Sequence, residues 1–268
     1  MVASRLDDTR LRSDVHKRRI KLVSLMAGIA AAAGTAFSVT PAMAATCTTS
    51  AQWGVCFPAN STQNIEADNN VWNASADPGW SQTLAATTAT QWTATAKMPT
   101  VSGYPVISYP EAKLQFYQSQ KPLASWNEIV GQWHSGLPAF TTGDRYESAF
   151  DLWLDDGPGT SDGHEVMIWT QNDGQYPAGS DTGQQWTDPL YGTGYEVYAN
   201  SNTVTFVIDT AGVHSGSVDI KDALQYAINL EWPGDPGYNY QFDYGFEVVT
   251  TQNVAKVFNL YGLNYNMN

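Results

Sequence analysis

Between residues 91 and 264 the chain repeats one pattern: short segments that alternate apolar and polar residues, separated by clusters of Gly, Asn, Asp and Pro. Gln91–Met98, Ala112–Gln118, Tyr146–Leu154, Glu165–Thr170, Gly194–Ala199, Thr203–Asp209, Tyr240–Val249 and Val254–Asn264 all read this way, and Val, Ile, Thr and aromatics dominate them. A period of two with branched and aromatic residues marks half-buried strands. Strand after strand with turn signals between predicts an all-β fold, a β-jelly-roll sandwich of two antiparallel sheets. One stretch breaks the period. Ser217 and Asp219, both N-cap candidates, precede Ala223, Leu224, Tyr226, Ala227, Ile228 and Leu230, and Trp232-Pro233-Gly234 follows. Helical spacing with a Pro-Gly stop predicts one helix over 217–231, packed on the outside of a sheet and without a chemical role.

The N-terminus has a different character. His16, Lys17, Arg18, Arg19 and Lys21 precede an apolar stretch from Leu22 to about Phe37 and then Ala42-Met43-Ala44. This order of basic, apolar and small residues predicts a secretory signal peptide over 1–44 and a secreted, extracellular protein. No later stretch is apolar for long enough to span a bilayer. Residues 45–268 contain no internal repeat or low-complexity linker, and a single domain is expected there. Of 13 Lys/Arg and 26 Asp/Glu, residues 1–44 hold seven and three, so the remainder carries six against 23. Such an acidic surface argues against nucleic acid and anionic membranes as partners, whereas a neutral polysaccharide has no charge to repel. Cys47 and Cys56 form a close, even pair in an exported chain, which predicts a disulfide rather than a metal site. The expectation is a monomer working without cofactor or metal.

Strand parity sorts the polar residues. In Glu165-Val166-Met167-Ile168-Trp169, Val166 and Ile168 suit a core, and Glu165, Met167 and Trp169 share the other face. In Phe150-Asp151-Leu152-Trp153-Leu154 the even positions turn inward and leave Asp151 and Trp153 outside. Glu247 shares a face with Gly245, opposite Phe246 and Val248. Three strands thus carry acids away from the sandwich core, two of them beside aromatics. Glycosidic hydrolysis needs such an arrangement, because sugar rings stack on indoles while two carboxyls flank the scissile bond. An acid on an outer strand face is more often only solvated, so parity by itself makes catalysis the minority reading.

Five short stretches in order alter that balance: Asn69-Asn70-Val71-Trp72-Asn73, Ile107-Ser108-Tyr109-Pro110, Phe150-Asp151-Leu152, Glu165-Val166-Met167-Ile168-Trp169 and Gly245-Phe246-Glu247. Together they resemble glycoside hydrolase family 12, the endo-β-1,4-glucanases and xyloglucanases built on a jelly roll with a long concave cleft. The similarity runs from about residue 64 to the end. It implies a retaining endo-β-1,4-glucanase acting on cellulose, mixed-linkage glucan or xyloglucan by double displacement, with Glu165 as nucleophile and Glu247 as acid/base. Asp151 would lie beside the nucleophile, hydrogen-bonding it or tuning its charge. Trp72 would stack on a glucosyl unit with Asn70 as a polar contact. Met167 and Trp169 would line the cleft floor, and Pro177 would sit in the loop after that strand. Departures from the pattern are the short Cys47–Cys56 span, Val248-Val249-Thr250 after Glu247, and the Asn259–Asn264 ending.

Rival readings are a carbohydrate-binding module or lectin, and an endo-xylanase of the related jelly-roll family. Met-Ile-Trp after Glu165 favours the glucanase. His164, His134 and His214 lack partners at metal-ligand spacing in the sequence, so a zinc hydrolase is not supported. The acidic loop 155–163 lacks the spacing of an EF-hand and reads as a solvated hairpin loop. No Gly-x-Ser-x-Gly elbow is present.

Overall fold

The structure is a computed structural model that describes residues 45–59, 64–76, 78–116, 120–158 and 163–268. The signal peptide expected over 1–44 and positions 159–162 of the acidic loop lie outside the described residues. In chain order the strands are β1 (Cys47–Thr49), β2 (Val55–Cys56), β3 (Ile65–Asp68), β4 (Ser81–Thr88), β5 (Gln91–Lys97), β6 (Glu111–Gln115), β7 (Ile129–Gly136), β8 (Arg145–Asp155), β9 (His164–Asp173), β10 (Ser180–Thr187), β11 (Gly194–Ala199), β12 (Thr203–Ile208) and β13 (Ser215–Asp219). Helix α1 (Ile220–Glu231), β14 (Tyr238–Gly245), β15 (Val248–Thr250) and β16 (Lys256–Met267) complete it.

Two sheets result, as the alternation requires. The smaller runs β1-β4-β5-β16-β7-β13, and the larger runs β10-β11-β12-β9-β8-β14-β6-β3-β2, with β15 paired to β8. Inward residues of both merge into one core. Trp133 of β7 meets the ring of Phe150 on β8 edge-on at 5.8 Å, and Phe150 meets Tyr244 of β14 at 4.7 Å. The Tyr244 hydroxyl lies 2.8 Å from Ser135 Oγ of β7 and 2.9 Å from Thr170 Oγ1 of β9, so the polar end of a fully buried side chain bonds both sheets. Truncating a buried ring such as Phe150 to Ala costs about 3–5 kcal/mol through lost transfer energy and the cavity left behind.

Four expectations change. The larger sheet is not wholly antiparallel, because β12 runs parallel to β9 and sets Thr203 opposite Glu165. The expected strand Tyr240–Val249 is interrupted at Phe246 and Glu247, between β14 and β15. The helix begins at Ile220 with Asp219 as its cap, accepting from the Asp222 amide, whereas Ser217 belongs to β13. Nor does α1 coat a sheet from outside. Ile220, Ala223, Leu224, Ala227 and Ile228 join the core shared by the two sheets. A Cβ on Gly131 of β7 would come within 2.6 Å of the Phe150 ring and 2.8 Å of Ile220 Cδ1, so only glycine lets the helix start wedge in there. The disulfide forms as expected between Cys47 and Cys56, with Cα atoms 5.8 Å apart. Among the described residues no helix is long and apolar enough to cross a membrane.

Candidate active site

Register places the acids. Across the larger sheet, on the face opposite the core, one row reads Glu66 (β3), Lys113 (β6), Asp243 (β14), Asp151 (β8), Met167 (β9) and Thr205 (β12). On one side of it lies Asp68, Glu111, Gly245, Ala149, Trp169 and Val207, and on the other Gln115, Gln241, Trp153, Glu165 and Thr203. Neighbouring strands stand about 4.8 Å apart, so carboxyls in these rows feel one another.

Glu165 stands on β9, and Glu247 on the link between β14 and β15, so the two occupy opposite flanks of β8. Glu165 Oε2 accepts from Thr203 Oγ1 at 2.9 Å. Burial raises its pKa from the ordinary glutamate value, and the Thr203 hydroxyl offsets part of that rise. Glu247 Oε2 accepts from Gln175 Nε2 at 3.4 Å. Its pKa is pushed up to about 7, first by burial and then by the charge of Glu165, against the opposing Gln175 bond. Asp151 lies between them. Burial raises its pKa well above the ordinary range, and the charges of Glu165, Glu111 and Glu247 add to the rise, while the Trp153 indole donates to it and pulls the other way. Two glutamates held unequally by their surroundings, with a third acid between them, suit acid–base work.

No protein-family model and no curated protein matches the chain by sequence. Solved structures do. A family 12 xyloglucanase from Bacillus licheniformis superposes with a TM-score of 0.70 at 19% identity, over 83% of this chain and 100% of that one. Endoglucanase 3 of family GH12 from Trichoderma harzianum gives 0.68 at 19%, over 83% and 97%. The xyloglucanase domain of NopAA, a type three effector from Sinorhizobium fredii in complex with cellobiose, gives 0.66 at 20%, over 83% and 99%. The fold is that of the family 12 glycoside hydrolases.

On this family 12 fold the residues singled out from sequence fall into three groups. Glu165, Glu247 and Asp151 come together as described. Asn70, with a positive φ of 30°, donates Nδ2 to Glu111 Oε1 at 3.0 Å and lines a cavity of about 310 Å³ with Trp53, Val55, Glu66, Asp68, Glu111, Lys113 and Gln241. Trp72 is half exposed and free to stack. Met167 and Trp169 share the Glu165 face but are buried, packed with Ala149 and Val207, so they are closed off from solvent rather than lining an open cleft floor. Pro177 is in the loop between β9 and β10, but from that loop it is Gln175 that reaches Glu247. The two neighbours in the Asn-Asn motif divide their work: Asn69 is fully buried and donates to the Ala51 carbonyl, while Asn70 faces the cavity.

Sequence reasoning missed Glu147, Thr203, Gln175, Asp243, Glu111 and Lys113. Lys113 is held by Asp68, by Glu66 at 3.3 Å and by Glu111 at 3.7 Å. Burial brings Glu111 up to about 8 despite that cation. Parity could have found Glu147, which shares a face with Asp151 on one strand, and Glu111, which follows the Ser-Tyr-Pro motif directly. Nothing local could have found Thr203 or Gln175, because a parallel pairing and the turn of the chain after β9 bring them in.

Proposed function

We propose that the chain is a secreted, retaining endo-β-1,4-glucanase that cuts soluble β-glucan within the chain. The observation that carries this reading is the Glu165–Glu247 relationship: two glutamates on one face, with Glu247 held at about 7 in part by the charge of Glu165. Below that value Glu247 has a proton to give to the departing glycosidic oxygen, and Glu165, hydrogen-bonded by Thr203, is the carboxylate that attacks the anomeric carbon. Once Glu165 is esterified its charge is gone. Glu247 then loses the part of its proton affinity that came from that charge and acts as base toward the incoming water. The acid/base role is given to Glu247 by the resemblance of Gly245-Phe246-Glu247 to the family's acid/base strand, and a pKa pushed up to about 7, chiefly by burial, suits that role.

The family 12 structures named above are endoglucanases and xyloglucanases, one of them with cellobiose bound, which supports a β-1,4-glucan substrate. Exposed Trp53 and Trp72 offer faces for sugar stacking beside the Asn70 end of the site. Incubation with carboxymethyl-cellulose, mixed-linkage glucan, xyloglucan and xylan tests the reading. New reducing ends with a rapid fall in viscosity on at least one of the three glucans, and β-anomers as first products by NMR, are expected. Retention on β-glucan without hydrolysis makes the protein a binding module. Cleavage confined to xylan makes it a xylanase, and α-anomers as first products exclude double displacement.

A further inference from the structure

A second cluster of ligating side chains lies where β8 ends and β9 begins. Asp156 follows the last residue of β8, His164 opens β9, and Asp235 belongs to the loop between α1 and β14. His164 Nε2 is 3.1 Å from Asp156 Oδ1 and 3.1 Å from Asp235 Oδ2. One ring nitrogen cannot satisfy both oxygens, and the hydrogen bond goes to Asp156. The Asp235 side chain is only 8% exposed. Its Oδ1 accepts the Gly237 amide at 2.6 Å, while its buried Oδ2 accepts no hydrogen bond and points at the same Nε2. Among the described residues no lysine or arginine pairs with either aspartate. The imidazole is held in place: Trp232 stacks on it at 4.1 Å and 19°, and the Trp232 indole is itself fixed by donating to the Ser201 carbonyl at 2.9 Å.

We propose that Asp156, His164 and Asp235 bind a divalent transition-metal ion of the Zn²⁺ type, tying together the end of β8, the start of β9 and the loop after α1. All three ligand atoms lie within 4.8 Å of one another. A tetrahedral ion with bonds of about 2.0–2.2 Å sets its ligands about 3.3–3.6 Å apart, so the observed 3.1 Å contacts need to open only slightly. One imidazole with two carboxylates is a borderline-hard donor set that suits Zn²⁺, and it falls well short of the six to eight oxygens Ca²⁺ takes. The ion supplies the positive charge that the two aspartates lack. It is a structural tie: His164 adjoins Glu165, so the metal anchors the strand that carries one of the two glutamates. The three residues are separate from Glu247, Asp151 and Thr203, and the site stands whether or not the chain hydrolyses glucan.

The full chain without its leader, stripped with EDTA and dialysed, is titrated with ZnCl₂ by calorimetry and with CoCl₂ by visible absorption, and its Tm is read with and without each ion and CaCl₂. Wild type is expected to take one equivalent of Zn²⁺ with a rise in Tm, and to give the intense visible bands of tetrahedral Co²⁺. His164→Ala and Asp235→Asn should each lose that equivalent, the Tm rise and the bands. Asp235→Asn keeps the acceptor for the Gly237 amide and so preserves the loop. His214→Ala controls for the other histidine pair, since the pKa of His134 is lowered partly by its neighbour His214, and it should bind as wild type does. The proposal is overturned if wild type takes no Zn²⁺, if His164→Ala and Asp235→Asn both retain it, if it is lost in His214→Ala alone, or if Ca²⁺ raises Tm and Zn²⁺ does not.

Discussion

Glu147 and Glu247 grip each other through the backbone: the Glu147 amide donates to the Glu247 carbonyl at 3.1 Å, and the Glu247 amide donates to Glu147 Oε1 at 3.3 Å. This reciprocal pair fixes Glu247 where the chain breaks from β14 into β15. Glu147 is fully buried, and burial together with the charge of Glu247 raises its pKa well above the ordinary value, which favours its neutral form. Glu147→Gln keeps the acceptor and is isosteric with that neutral form, so activity within a few-fold of wild type and an unmoved pH profile are expected. Glu147→Leu strands the buried Glu247 amide at a cost of about 1–3 kcal/mol and should lower both Tm and turnover. A pH profile displaced in Glu147→Gln would show that Glu147 is ionised after all.

The two glutamates separate by chemistry. Glu165→Ala should abolish turnover of every substrate, since no glycosyl intermediate forms. Glu247→Ala should lose about 10²–10⁴-fold on polymer yet retain the first step on an aryl glycoside with an activated leaving group. Added azide should rescue Glu247→Ala and yield the β-glycosyl azide, whereas Glu165→Ala should give the α-product. Product anomers by NMR check this, and the opposite pairing of products and variants reverses the roles.

The pH profile follows from the same pair. Activity needs Glu165 ionised and Glu247 protonated. The alkaline limb should therefore fall near 7, where Glu247 gives up its proton, and the acid limb should lie above 4.5, because burial raises Glu165 from that value. Thr203→Val removes a hydrogen bond that favours the ionised form of Glu165, so the acid limb should move to higher pH while the alkaline limb stays. Initial rates from pH 3 to 9 on one soluble glucan measure both. A rate still climbing at pH 9 contradicts the assignment.

Stability should fall as the solution becomes alkaline. Glu111 is raised from 4.5 to about 8 by burial, and burial likewise lifts Asp243 and Asp151 well above their ordinary values. Each folded pKa exceeds the unfolded one, so the stability they contribute is fully present below the unfolded value and is lost as pH rises through the folded one. Tm should be higher at pH 5 than at pH 9. Glu111→Gln should flatten part of that slope, raising Tm relative to wild type at pH 9 more than at pH 5. A Tm that increases steadily from pH 5 to 9 would refute the argument.

The sequence by itself determined what alternation and parity can carry. The β11 segment 194–199 was predicted to the residue, Asp219 was named among the caps of α1, the disulfide partners were paired, and Glu165, Asp151 and Glu247 were placed opposite the core side chains. These are local properties, set by the period of two and by which side of a pleat a residue occupies. Strands such as Ser81–Thr88 and Ile129–Gly136 escaped because Ala, Gly, Ser and Gln blur their alternation, and only pairing across the smaller sheet makes them strands. Tertiary structure alone decided the neighbours. The parallel β9–β12 pairing delivers Thr203 to Glu165, the β9–β10 loop delivers Gln175 to Glu247, and the sheet gathers Glu147, Asp243 and Glu111 around Asp151. A strand's own residues say which way its side chains point but not which strand lies beside it. The proton affinities of these acids depend on burial and on charges from other strands, and both exist only once the sheet has assembled.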